Sequence, residues 1–302
     1  MSLKIATLSV VVNPPGQVLN VAGKKVAQRR CDLDCPYCVS RTTPYIAGLN
    51  GESYAPLPII ADWSRHYKRV AEGLPFGLIT SKFEATKLPK EELGEIMQVM
   101  KSGGLLVELQ TSGLHLNEDN LYYWRESGLH TLALSCVSFD DKVNSKIMSK
   151  RGLRWDIDQI IRTARPMHYL IRVAVIMCKG GVDSIDAFLA AANAAQKAGV
   201  HQLTFRKMGT AQQIATKGGR KIAEWINQNN TPPELPQKIL RFLDEKGSDK
   251  QVVPWATIYS FKGMRVGVTA HMNRPDMDIA RHGVLQPNGR LYGDWEGKVL
   301  LA

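Results

Sequence analysis

Three thiols stand within eight residues of one another: Cys31, Cys35 and Cys38, in the segment Arg30-Cys31-Asp32-Leu33-Asp34-Cys35-Pro36-Tyr37-Cys38. Spacings of three and then two intervening residues let a single loop turn all three toward one metal centre, and thiolates suit zinc and iron–sulfur clusters. A structural zinc site is closed by four ligands. The other two cysteines, Cys136 and Cys178, fall in apolar stretches that read as strand cores, where a thiol is an ordinary small packing residue. No Cys or His follows at zinc-finger spacing, His66 being the next histidine. Three protein ligands on a cubane cluster leave one iron open, and an open position distinguishes a working metal from a structural one. The opposing reading is a non-catalytic protein that uses the same cysteines to hold zinc or an inert iron–sulfur cluster.

The elements that must position this loop alternate strand and helix. Apolar runs at 8–12 and 18–21 flank the breaker Asn13-Pro14-Pro15-Gly16, and a short strand at 26–30 runs into the cysteines. Beyond them the pattern predicts a helix at 62–74, a strand at 76–80, and a helix at 89–101 that starts at Pro89 and stops at Gly103. A strand at 105–109 and a helix capped by Asn117 and closed by Gly128 follow. Further strands are expected at 130–135, 169–177 and 202–206, and further helices at 155–165, at 218–227 and from an Asp183 cap to Gly199. Near-continuous apolar strands alternating with helices imply a parallel sheet covered by helices. Six units from Val26 onward fall short of the eight of a closed barrel. The expected fold is therefore α/β, a partial (β/α)6 barrel over 26–230, with a flat doubly wound sheet as the alternative. Residues 1–25 read as an N-terminal strand and hairpin extension, and 231–302 as a small C-terminal α+β cap containing a hairpin that turns at Asn288-Gly289.

Cys-x3-Cys-x2-Cys with Tyr37 before the last cysteine resembles the signature of the radical S-adenosylmethionine (radical SAM) superfamily. That resemblance implies a [4Fe-4S] cluster on Cys31, Cys35 and Cys38 whose open iron binds S-adenosylmethionine. Reductive cleavage then yields a 5'-deoxyadenosyl radical that abstracts a substrate hydrogen, the cofactor carrying the hard chemistry. Where the family carries a Gly-rich segment with a glutamate, this chain has Thr80-Ser81-Lys82-Phe83-Glu84-Ala85-Thr86, keeping Lys82, Glu84 and Thr86 but placing Ser81 and Phe83 where glycines stand. By the same resemblance Thr111, in Thr111-Ser112-Gly113, lines the cofactor pocket, Ser135 meets its ribose or carboxylate, and Arg151 faces its carboxylate. Tyr37 and Met208 pack against the cofactor, Met208 against adenine. Arg172 is a charge in a buried strand that needs a partner, and it is expected to face the barrel interior and a carboxylate or phosphate. The sequence names no catalytic acid or base.

Composition narrows the setting. Of 302 residues 44% are hydrophobic and 22% charged, which excludes disordered and fibrous classes. Lys and Arg outnumber Asp and Glu by 39 to 28, a net charge of +11 that fits an anionic partner such as a nucleotide, a nucleic acid or a phosphorylated metabolite, while the radical SAM resemblance implies a reducing partner such as flavodoxin or ferredoxin. No signal sequence and no run of ~18 apolar residues is apparent, so the expectation is a cytoplasmic protein with no membrane partner.

Overall fold

The computed structural model describes residues 4–5, 7–14, 18–21, 24–27, 31–38, 52–71, 74–149, 155–208, 217–253, 256–269, 279–280, 282–295 and 297–301. In chain order the elements are β1 (Lys4–Ile5), β2 (Leu8–Val11), β3 (Val18–Val21), β4 (Lys24–Ala27), α1 (Leu57–Val70), β5 (Phe76–Thr80), α2 (Lys90–Ser102) and β6 (Leu106–Thr111). There follow α3 (Glu118–Ser127), β7 (Leu129–Cys136), α4 (Asp141–Met148), α5 (Ile157–Ala164), β8 (Leu170–Met177), α6 (Ile185–Ala198), β9 (Gln202–Lys207), α7 (Lys217–Asn229) and α8 (Leu235–Lys246). The chain then adds β10 (Ser248–Val253), β11 (Ala256–Phe261), β12 (Met264–Thr269), β13 (Ile279–Ala280), β14 (Gly283–Leu285) and β15 (Leu291–Tyr292).

One 11-stranded sheet carries the fold, in the order β10-β11-β12-β9-β8-β7-β6-β5-β2-β14-β15. From β12 to β14 every neighbouring pair is parallel, and only the outermost strands are antiparallel. This is the α/β architecture expected of a partial barrel: a mostly parallel sheet, not closed on itself, with helices on its outer face. Local signals explain the borders. Asn117 Oδ1 accepts from Asn120 N at 2.8 Å to cap α3, and Gly128 ends that helix at φ 107°. Gly199 closes α6 in the same left-handed conformation, and Ser184 rather than Asp183 caps its start.

Three expectations need correcting. The strand before the cysteines, β4, pairs antiparallel with β3 in a separate hairpin, while β2, read as part of an N-terminal extension, pairs with β5 and is the first barrel strand. The unit 231–302 does not cap the sheet. It extends it, β12 parallel to β9 at one side and β14 parallel to β2 at the other, with the expected hairpin at Gly289 joining β14 to β15. Third, the strands are not near-continuous apolar runs, because one of their faces carries polar residues. Residues such as Ile79, Val107, Leu109, Leu134, Val173 and Phe205 pack with the helices in the main core. Register places Glu108, Gln110, Arg172, Thr204 and Arg206 on the opposite, concave face. That polar inner face is what a barrel lumen offers a ligand.

Candidate functional site

The loop 31–38 lies across the carboxyl ends of the strands. Asp34 N donates to Met148 O at 2.8 Å at the end of α4, and Leu33 is buried in the core. A turn through Pro36 and Tyr37 is closed by Cys38 N donating to Cys35 O at 3.1 Å. None of the three cysteines is in a disulfide, and all are half-buried. Burial, then the negative charge of Glu84, pushes the Cys31 thiol up to about 12. Burial, then the charges of Cys38 and Cys31, pushes Cys35 up to about 12 as well. Cys31 and Cys35 therefore resist ionisation unless a cation compensates, which is the electrostatic character of a metal site. Among the described residues no three Cys, His, Asp or Glu side chains are gathered closely enough to chelate one metal ion. Thiolates around a zinc ion with ~2.3 Å bonds stand only ~3.8 Å apart; a cluster, with a separate iron for each thiolate, takes ligands set wider. The donor set fits a cluster better than a single ion.

Two anchors hold the loop's surroundings. Asp32, between the first two cysteines, accepts from Lys87 Nζ at 2.8 Å through Oδ1 and faces His115 Nε2 at 2.6 Å through Oδ2. Burial opposes its ionisation, but these two partners outweigh it and hold the carboxyl below its ordinary range. Lys87 follows β5 and His115 follows β6, so one carboxylate ties the cysteine loop to two strand ends.

Glu84, 3% exposed, is the second anchor. Its Oε1 accepts from Thr86 N and Oγ1 and from Thr111 Oγ1, at 3.3, 2.9 and 2.6 Å; its Oε2 accepts from Ser112 N at 2.9 Å and from Ser112 Oγ. Thr111-Ser112-Gly113 is thereby folded around the carboxylate, with Gly113 N donating to Thr111 Oγ1 at 3.0 Å and Ser112 O accepting from Trp155 Nε1 at 2.8 Å.

The remaining expected site residues are placed as follows. Lys82 is half-buried beside Phe83, its Nζ has no hydrogen-bond partner, and burial lowers its pKa. Ser135 stands near the end of β7 on the inner face, level with Ala174 of β8. Tyr37 packs on Trp225 of α7 at 5.8 Å between ring centroids; burial, then Cys35, Cys178 and Cys136, pushes its phenol well above the ordinary value. Cys136 and Cys178 are thus core thiols behind the loop. Met208 is buried in the main core. Arg172 does face the interior, but its carboxylate is the chain's own, Glu108 of β6, both side chains being less than 15% exposed. Arg151 and the basic pair Arg29-Arg30 lie outside the described residues.

Sequence reading missed Asp32, Lys87, His115 and Glu108. For Glu108 the signal was present: Leu106-Val107-Glu108-Leu109-Gln110 alternates apolar and polar with period two, as a strand with one polar face does. Lys87 and His115 carry no such mark, because only the fold brings them to Asp32.

The model of the radical SAM superfamily matches residues 26–194. A curated but uncharacterised protein of Methanocaldococcus jannaschii is 23% identical over 163 residues, 49% of this chain and 37% of that protein. Among solved structures, Streptococcus suis SuiB bound to S-adenosylmethionine superposes with a TM-score of 0.59 at 11% identity, covering 96% of this chain and 60% of that one. Native anSMEcpe with AdoMet and the Cp18Cys peptide gives a TM-score of 0.52 at 12% identity, covering 79% and 59%. The chain spans well under half the length of that curated relative and about three fifths of these two solved structures. No helix among the described residues is long and apolar enough to cross a membrane. With the family's three-cysteine loop seated on its fold, and that family's model matched over more than half of its 302 residues, the chain belongs to the radical SAM superfamily.

Proposed function

We propose that the chain is an enzyme that binds a [4Fe-4S] cluster through Cys31, Cys35 and Cys38, binds S-adenosylmethionine beside it, and acts on a substrate held in the barrel mouth. The observation that carries this reading is one loop bearing three half-buried thiols across the carboxyl ends of β5, β6 and β7, where barrel active sites lie. When bound, the cluster and S-adenosylmethionine would supply a radical able to abstract hydrogen. The chain's own work is to hold these groups and keep water from them. Glu84 has no acceptor capacity to spare, so it orients the cofactor by shaping the Thr111-Ser112-Gly113 turn rather than by direct contact. Lys82, with an unpartnered ammonium, is the free cation for the cofactor's carboxylate, together with Arg151, while Ser135 offers a hydroxyl from the inner face. Tyr37 and Met208 are apolar walls. Arg172 lines the lumen paired with Glu108 and orients substrate as part of that pair.

An anionic, nucleotide-like substrate or RNA, a flavodoxin- or ferredoxin-like reductant and a cytoplasmic setting complete the reading; the net charge of +11 supports the first two. Anaerobic reconstitution tests the core of it. The wild type is expected to bind iron and sulfide, absorb visible light, and form 5'-deoxyadenosine with S-adenosylmethionine and a reductant. Cys35→Ala is expected to lose both properties. A colourless wild type that binds one zinc ion tightly instead would return the chain to the non-catalytic reading.

A further inference from the structure

Asn13 and Gln286 are both completely buried, and all four of their side-chain polar atoms lack a hydrogen-bond partner. A buried amide left unpaired costs about 1–3 kcal/mol by mutational measures, so two at one place are expensive unless something fills them. They sit together. β2 and β14 are adjacent parallel strands in which Val284 is level with Ser9 and Leu285 with Val10. Continuing that register puts Gln286 level with Val11 and Asn13 two residues further on, at the carboxyl ends of both strands. Ser9 and Val11 are in turn level with Leu78 and Thr80, which share the inner face with Glu108 and Gln110. By strand alternation both carboxamides continue the inward-facing set. Val11 and Val284, on that same face, are buried yet outside the helix-packed core that contains Val10 and Leu285. Thr204 Oγ1 and Arg172 Nε, on the same face of the sheet, are also buried and unpartnered.

We infer that Asn13 and Gln286 form a substrate-recognition site at the barrel mouth for a planar, amide-type edge that presents a donor and an acceptor side by side. The chemistry follows from the inventory: two carbonyl acceptors and two NH2 donors, all neutral. A carboxylate or phosphate would satisfy the donors and strand the acceptors, and a cation would do the reverse. A peptide group or the lactam edge of a nucleobase answers both. The inference rests on the proposed enzyme for its meaning, but its test does not depend on turnover.

The test compares the reconstituted full chain with the double variant Asn13→Leu/Gln286→Met, which keeps side-chain volume and removes the orphaned groups. Removing unpaired polar atoms is expected to raise Tm by on the order of 2 °C. N-acetylglycinamide or uracil at roughly tens of millimolar, as weakly binding fragments require, is expected to raise the wild-type Tm but not the variant's; which of the two acts identifies a peptide or a base as the source of the edge. A lower Tm in the variant would overturn the inference by showing a structural role. So would protection by inorganic phosphate alone, equal responses in both proteins, or none in either. A tenfold or greater loss of S-adenosylmethionine affinity in the variant would assign the pair to the cofactor instead. Failure of wild-type 5'-deoxyadenosine formation would count against the enzyme reading and leave these thermal results standing.

Discussion

Glu84 accepts five hydrogen bonds, about one more than the lone-pair directions of a carboxylate comfortably serve. Bonds to a buried charge are among the stronger ones, and an amide could return only part of them. Glu84→Gln is expected to cost about 3 kcal/mol of stability in the metal-free chain, measured by denaturant midpoint; a cost below about 0.5 kcal/mol would mean that the carboxylate is not the organiser of the turn. The thiols give a pH prediction. Because folding raises the thiols of Cys31 and Cys35 to about 12, their protonated forms are the ones the fold favours. The metal-free chain therefore has this contribution in full below about pH 9 and loses it as pH rises from there through about 12. Metal capture runs the other way, since each thiol must lose a proton. Affinity for iron and sulfide in anaerobic reconstitution, followed by visible absorbance, is expected to climb with pH from 7 to 9, by up to about tenfold per unit per proton released. Flat affinity over that range would show that the cysteines are not the ligands.

At the scale of elements, the cysteine loop borrows its order from neighbours. The Asp32 ties to Lys87 and His115 are partly exposed and are worth little in global stability, at most about 1 kcal/mol. Their effect belongs to the loop itself. Asp32→Asn is expected to leave the unfolding midpoint almost unchanged while speeding iron loss to a chelator several-fold; equal release rates would remove Asp32 from the site. The turn after β6 is the second support. Gly113 sits at φ 86°, and a Cβ there would lie 2.8 Å from Ile160 Cγ2. Gly113→Ala is expected to cost about 2 kcal/mol, read by thermal or chemical unfolding, because a methyl group must both adopt a left-handed backbone and displace α5. The Pro89 start, the Asn117 cap and the Gly128 stop were legible in the sequence, since each acts within one turn of its own helix. Helix α4 was not. Its apolar face is short, and tertiary contacts hold it: Asp34 N donates to Met148 O, and Asn144 Oδ1 accepts from Val137 N and Ser138 N.

At the scale of the molecule, the two ends of the chain interleave. β1 pairs with β13 in a small sheet of their own and β2 with β14 in the main sheet, so residues near each terminus become neighbouring strands. Deleting 282–302 is expected to strip β2 of a neighbour, expose Val10 and the strand's hydrogen-bonding edge, and yield aggregated or partly folded material by size exclusion and circular dichroism. A truncated chain that stays monomeric and folded would restore the view of this segment as a dispensable cap. The sequence by itself determined the family, through three cysteines at fixed spacing, and most of the strand–helix alternation, because thiol spacing, capping residues and apolar periodicity act over a few residues. It did not determine which strand begins the barrel. Both 8–11 and 24–27 suit a strand, and only pairing with β5 or with β3 tells them apart. Nor did it determine that Asp32 meets Lys87 and His115, Arg172 meets Glu108, or Ser9 meets His282. Those encounters span from 55 to 273 residues of chain, and no local propensity encodes a partner that only the closing of the sheet brings within reach.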